Sequence, residues 1–562
     1  NATNGFGINN TFERNHARVS GAALGWMGAK GISITNYTFT DNTAVVSGAA
    51  IYVSPESAGC KIINSTFTGN NVTGSNGRGG AIDGNGPNGT IINSHFTNNN
   101  AYDGGAIYVG GNGGTIDITQ STFRENGAIH DGGAIYLVAS AVGLNFTNFY
   151  DNTAGRHGGA LYVGGNSINN TVYNSVFERN NASENGGAIY WVASSGIVAD
   201  SNFTQNSANY GGAIYLNGQS ANSTIKGVIF KQNNATVNGG AIDWNATGGN
   251  LTNNTFDSNY AGEYGAALCR ESNATAGFGK NNIFKDNYVG IGGAALAWMG
   301  SVGIKITNYT FIHNGAGEKG GAIYVAPTSH NCSIIDCVFT ENYALDDTMA
   351  NGGAISCWAS NATVINTNFT KNDAKYGGAI FIGGDSGSTN ITKSNFTLNH
   401  ASYDGGAIQS RSTTAVVSDS EFHTNTADRD GGAIYVGGTA QGNDVYSSLF
   451  EGNEAINGRG GAICWIGSSG NITQSNFTKN NAFDGGAIYV GGNAANSSIV
   501  RVIFEENEAT NHGGAIDWNA TGGRLVHTQF ISNTADYGGV IDDIDLLLVL
   551  AIAKLSDDLL DT

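Results

Sequence analysis

Hydrophobic positions in this chain come in short runs rather than in helical stripes. Runs such as "AIYV" and "TIINSHF" are rich in β-branched and aromatic residues and are bounded by Gly and Asn. No stretch of the repeat keeps a 3.6-residue apolar period, and glycine is too dense for a helix to survive. The pattern predicts short strands separated by tight turns.

The runs repeat. "DGGAIYVGG" occurs letter for letter at 103–111, 430–438 and 484–492. Aligned on the double glycine, twenty copies run from Gly21 to Gly538, about 27 residues apart. Phe-x-x-Asn keeps step from Phe12 to Phe530 and takes up twenty of the 25 phenylalanines. A longer period lies over this one. "GWMGAKGISITNYTF" at 25–39 returns as "AWMGSVGIKITNYTF" at 297–311, and "GGAIDWNATGG" at 239–249 returns at 513–523. A ten-coil unit has been duplicated in tandem.

A unit this short cannot bury a core alone and must stack on its neighbours. The expected fold is all-β: a right-handed parallel β-helix solenoid of about twenty coils. At the usual strand spacing such a stack is about 95 Å long. Gly-Gly is expected to supply a positive φ and a close approach between coils. Phe should stack on Phe in the interior, and Asn should stack into an amide ladder. The organisation read from sequence is a first half over 1–274, a second half over 275–541, and a distinct segment over 542–562. That last segment, "DDIDLLLVLAIAKLSDDLLDT", has no Gly, Asn or Phe. It reads as a cap over an open sheet end, with end-to-end self-association as the alternative.

Composition narrows the partners. The chain has 562 residues, 85 Gly, 3 Pro and a formal charge of −19, with 40% hydrophobic residues. This is a folded acidic protein, not a disordered one. With 25 basic residues against 44 acidic ones it lacks a nucleic-acid footprint. No apolar run is long enough to span a bilayer. The opening "NATNGFGINNTF" shows no signal peptide and reads as mature sequence or an excised fragment. A secreted or cell-surface location is expected. The six cysteines, Cys60, Cys269, Cys332, Cys337, Cys357 and Cys464, have no metal spacing. They read as small buried hydrophobes, with one local disulfide among Cys332, Cys337 and Cys357 as the alternative.

The pairing of GGA[ILV] with FxxN in phase resembles the chlamydial polymorphic outer membrane proteins. It is similar also to the adhesin-like β-helix proteins of methanogenic archaea, toward which the Asn-rich wording of "GGAIDWNATGG" leans. The resemblance covers residues 5 to 541. It implies a cell-surface adhesin or adhesin-like protein, and it offers no catalytic residues to carry over. The large C-terminal β-barrel of the chlamydial proteins has no counterpart in this sequence.

Candidate chemistry lies in two columns. The position before Gly-Gly holds Asp103, Asp131 and His157, and in the second half Asp404, Asp430, Arg459 and Asp484. Stacked carboxylates there are candidate Ca²⁺ ligands, with Asp103, Asp131, Asp404 and Asp430 as the set. As an acid–base group, Asp103, Asp131 and His157 would serve a polysaccharide hydrolase or lyase. The plain reading is that Asp-Gly is a turn dipeptide, since Asn185, Asn238 and Asn351 occupy the same column. The second column follows "GGAI" and carries Tyr108, Tyr136, Tyr162, Tyr190 and Tyr215, with Trp191 and Trp244 one position later. Exposed, these rings would suit sugars; turned inward, they would pack between coils. Asp83, Asp243 and Asp517 replace the tyrosine singly, so no carboxylate cluster is expected there. Sequons at Asn36, Asn64, Asn88, Asn202, Asn222, Asn361, Asn471 and Asn496 are candidate glycan acceptors.

The regularity favours display over catalysis, which needs one irregular place with perturbed groups. The expectation is an adhesin-like rod with no cofactor. It would bind an extracellular glycan or a surface protein of another cell. A filament or sheath subunit is the structural rival, and a carbohydrate-active enzyme the catalytic one.

Overall fold

A computed structural model describes residues 2–543, except 111–114, 139–140, 166, 168, 194, 272–277, 384–386, 412–413, 439 and 441. The segment expected to cap the chain therefore lies almost wholly outside the described residues. The described residues contain strands and turns and no helix. One turn of the repeat shows the plan. Strands His95–Thr97, Asn100–Ala101, Ile107–Val109 and Ile116–Thr119 follow one another and close the coil. Each pairs in parallel with its counterpart one coil on: Phe96 with Phe123, Ala101 with Ala128, Ile107 with Ile135 and Ile116 with Val142. This is a parallel β-solenoid, as the repeat predicted.

The chain forms two compact units, each a solenoid. The first comprises 1–290 with 294–301, and the second 291–293 with residues from Val302 onward. This division falls later than the sequence boundary at 274/275. A coil in a solenoid is held by its neighbours, so compactness need not follow the phase of the duplication. The strand equivalent to Ile116–Thr119 forms a ten-stranded sheet in the first unit and a nine-stranded sheet in the second.

Each interior column has a physical reason. Phenylalanines stack from Phe12 to Phe284 in the first unit and from Phe311 to Phe530 in the second. Neighbouring rings are nearly parallel, at 4.6 Å for Phe67–Phe96 and 4.7 Å for Phe396–Phe422. Nearly all are fully buried. Beside them runs the expected amide ladder. Asn99 Nδ2 donates to Asn126 Oδ1 at 3.0 Å and to the Phe67 carbonyl at 3.0 Å, while its backbone N–H donates to the same Asn126 Oδ1 at 3.1 Å. Every amide is thus satisfied by the coils above and below it, the condition for burying it. The turn itself is made one residue earlier than the motif suggested. Asn98, Glu125 and Arg179, each just before the ladder asparagine, have positive φ of 54°, 55° and 53°. The ladder asparagine pins this turn rather than forming it.

A second ladder was not anticipated. Ser65 N–H donates to Ser94 Oγ, and Ser94 N–H to Ser121 Oγ, both at 3.1 Å. It lines the corner just before the Phe strand. The double glycine does what the repeat required. Gly104 has φ +63°, and a Cβ on Gly105 would fall 2.1 Å from the carbonyl oxygen of Gly133. All six cysteines are buried free thiols, so the disulfide alternative is set aside.

Candidate functional site

The column before Gly-Gly lies on the outer side of the turn, and its aspartates reach one coil forward. Asp131 accepts the backbone N–H of His157 at 3.1 Å. It also takes the Arg156 guanidinium on both oxygens, Nε at 3.0 Å and Nη2 at 2.6 Å. Its side chain is 2% exposed, while that of Arg156 is 38% exposed. Asp103 uses the same geometry with weaker partners. It accepts the Asp131 N–H at 3.3 Å and lies 3.1 Å from His130 Nδ1. Burial raises the Asp103 carboxyl above its usual range, against the pull of the His130 hydrogen bond.

The second unit repeats the arginine device twice. Arg429 donates from Nε to Asp404 Oδ1 at 2.8 Å and from Nη2 to Oδ2 at 2.7 Å. Arg459 holds Asp430 through Nε at 3.1 Å, Nη2 at 2.7 Å and its backbone N–H at 2.9 Å. Arg429 Nε also lies 3.4 Å from Asp430 Oδ2. The Asp430 hydrogen bond and charge push the Arg459 guanidinium up, while burial raises Asp404. Sequence reasoning missed these staples. The arginine always sits in the next coil, one residue before the column or in it, as "RHGG" at 156–159 and "RDGG" at 429–432 show. That was the available signal.

The staples bear directly on the candidate metal ligands. Asp404 and Asp430 are held by guanidinium groups, so a cation there would compete with those ion pairs. In the first unit, Asp103, His130 and Asp131 do bring donor atoms within 4.8 Å of one another. Asp131 is nonetheless already neutralised by Arg156. The His157 ring lies flat on Tyr190, with centroids 4.3 Å apart. Burial lowers its pKa.

The tyrosine column is resolved by strand alternation. In Ile135–Leu137 and Leu161–Val163 the aliphatic residues face the interior and the central tyrosine faces out. Tyr136, Tyr162 and Tyr215 are half-buried, and Tyr108 and Tyr190 are more covered, at 6% and 8% exposed. The rings form a continuous stack, at 5.4 Å for Tyr108–Tyr136, 4.4 Å for Tyr136–Tyr162, 5.3 Å for Tyr162–Tyr190 and 5.4 Å for Tyr190–Tyr215. Arg78 lies over the Tyr108 ring at 5.0 Å. The two tryptophans take the valine position instead. Trp191 and Trp244 are 1% and 0% exposed, inside the coil, so they are corrected from candidate ligand contacts to core.

The eight candidate glycan acceptors are all exposed. Asn36, Asn64, Asn88, Asn222, Asn361 and Asn496 sit in left-handed turns, with φ between 51° and 62°. In "NSTF" the turn asparagine, the buried ladder serine and the threonine before Phe each have a structural reason. A sequon arises from the three together.

The chain is thus a parallel β-solenoid repeat protein with an outer face of stapled aspartates and stacked tyrosines. Its repeats match those of the Chlamydia polymorphic membrane protein (Chlamydia_PMP) repeat family at residues 36–54, 174–190, 200–217 and 308–326. It is 30% identical over 362 residues to "Probable outer membrane protein pmp20" of Chlamydia pneumoniae, over 60% of this chain and 18% of that protein. The chain spans less than a fifth of the length of that relative. It carries repeats of the chlamydial polymorphic-membrane-protein type. Two solved structures of the PL6 family alginate lyase AlyGC, one of them a mutant, cover 97% of this chain and 96% of theirs at 10% identity. Their TM-scores are 0.23 and 0.20, too low to bear on fold or activity. No helix among the described residues is long and apolar enough to cross a membrane.

Proposed function

We propose that this chain is the display portion of a cell-surface adhesin, a rigid solenoid offering its outer face to a glycan or surface protein of another cell. The observation that carries the reading is the recurrence of polymorphic-membrane-protein repeats on β-solenoid coils. A surface location accords with the outer-membrane protein it matches. The half-buried rings of Tyr136, Tyr162 and Tyr215 in the tyrosine stack support glycan contact, because their outward edges offer apolar surface to a sugar. The exposed sequons support glycosylation in a host that modifies such sites. The lean toward methanogen adhesin-like proteins rests on the Asn-rich wording alone and is part of this same reading. The test is retention of the purified chain on a glycan array and on whole cells, with depolymerisation followed in parallel. Selective retention without cleavage, weakened by Tyr136→Ala with Tyr162→Ala, supports the adhesin. Cleavage of a bound polymer would overturn it in favour of an enzyme. Assembly into filaments without retention would favour the sheath.

A further inference from the structure

Three coils carry aspartate where most carry an aromatic ring after "GGAI": Asp83, Asp243 and Asp517. Two of them face protein donors or cations. Asp83 accepts Asn85 Nδ2 at 2.8 Å, with the Ser47 hydroxyl and the Arg78 guanidinium also acting on it. Asp517 lies near the imidazole of His512, from the same coil, which itself pairs with Asp542. Asp243 has no counterpart to either. It is 1% exposed, and both its carboxyl oxygens are buried without a hydrogen-bond partner among the described residues.

The groups around Asp243 are further acceptors. Asn238 stands where His512 stands in the duplicate. Its Oδ1 is buried and unpartnered, while its Nδ2 turns to Glu271 Oε1 at 3.3 Å. Asn245 lies two residues beyond Asp243 on the same side of the strand. Its Oδ1 is likewise unpartnered, and its Nδ2 is 3.5 Å from the Tyr215 hydroxyl. Glu271 follows Arg270, which pairs with Trp244, so it sits one coil above Asn245. Its negative charge bears on Asp243. Arg270 points the other way. It takes the inward position of its strand, stacks over the Phe278 ring at 4.2 Å and donates to the Gly248 carbonyl at 3.3 Å.

Two carboxylates and two amides thus sit on adjacent coils, with Asn238 bonded to Glu271 and no cation among the described residues acting on Asp243. Burying such a set uncompensated is costly. Oxygen-only donors with two negative charges suit a hard divalent ion of flexible coordination, not one that prefers nitrogen or sulfur. We propose that Asp243, Glu271, Asn238 and Asn245 form a Ca²⁺ site in the first unit. In the second unit the place of Asn238 is taken by His512, whose imidazole pairs with Asp542.

The test is equilibrium binding of CaCl₂ to the EDTA-stripped 562-residue chain. It is run beside Mg²⁺, with thermal unfolding as a second readout. One ion per chain is expected, with a higher melting temperature. Asp243→Asn should weaken binding about a hundredfold or more, beyond the loss typical of a supporting residue, while Asp517→Asn should leave it unchanged. Asn238→His imports the arrangement of the duplicate. It should abolish the Ca²⁺ response while the circular dichroism stays native, and it decides the matter if Asp243→Asn fails to fold. The proposal is overturned if the wild-type chain binds no Ca²⁺, or if binding survives both Asp243→Asn and Asn238→His. It is equally overturned if binding is lost in Asp103→Asn with Asp131→Asn and kept in Asp243→Asn, which would place the ion in the acidic column.

Discussion

The ladder asparagines and the column before Gly-Gly are both repeated once per coil, yet they behave in opposite ways. From Asn15 to Asn287 the ladder position is asparagine in every coil of the first unit. From Arg78 to Asn238 the outer column reads Arg, Asp, Asp, His, Asn, Tyr, Asn. The interior side chain meets only its own copies above and below, and water cannot reach it. It must therefore donate and accept along the same axis, which a primary amide does and few other groups can. The outer side chain meets water on one side and needs only a compatible neighbour, so pairs such as Asp131 with Arg156 can be exchanged for others. A repeat is conservative where its residues must satisfy themselves, and free where solvent helps.

The largest test of this contrast is in the interior. Phe149→Ala should cost about 3–5 kcal/mol, from lost transfer energy and the cavity left between Phe123 and Phe177. The midpoint of thermal unfolding reports it, and an unchanged midpoint would mean the stack is not continuous. Next is the ladder. Asn152→Ala strips the Phe123 carbonyl and the Asn126 N–H and amide of their partners. Each buried orphan costs roughly 1–3 kcal/mol, so the protection of neighbouring amides from hydrogen exchange should collapse locally. The staples come third. Arg156→Ala or Arg429→Ala takes the guanidinium from a buried carboxylate, but the arginines are more than a third exposed. Solvent should hold the loss to about 1–2 kcal/mol. Losses as large as for Asn152→Ala would erase the distinction between inner and outer columns.

The smallest effect is a pH dependence on the outer surface. His400 lies between Asp373 at 2.7 Å and Asp428 at 3.2 Å. The Asp373 hydrogen bond, opposed by burial and helped by Asp428, pushes its pKa up to about 9. An unfolded histidine titrates near about 6.5. The contribution of His400 is therefore fully present below that pH and fades as pH rises through about 9. A titration of its ring protons by NMR should show the raised midpoint, and Asp373→Asn should lower it.

Much of this architecture was legible early. The phase between Phe-x-x-Asn and GGA[ILV] predicted the parallel coils, the Phe stack, the amide ladder and the close approach at Gly105. The candidate site was less legible. The tyrosine row was visible, but not that Tyr162 faces out while Trp191 faces in. Strand phase decides that, and the sequence admits either. Arg156 and Arg429 were hidden because each staple joins residues 25 positions apart. Such a contact is fixed only when loop lengths set one coil over the next.

What the sequence by itself determined is whatever depends on stacking identical residues: the solenoid, its two duplicated stretches, its turns and its interior columns. A strict period makes every coil the template for the next, so local pattern and tertiary contact coincide. What only the tertiary structure decided is whatever depends on unlike residues meeting across coils. These are the arginine staples, the serine ladder, the outward face of Tyr136 and the acceptor cluster at Asp243. There the outcome rests on side-chain direction and register, which no single coil contains.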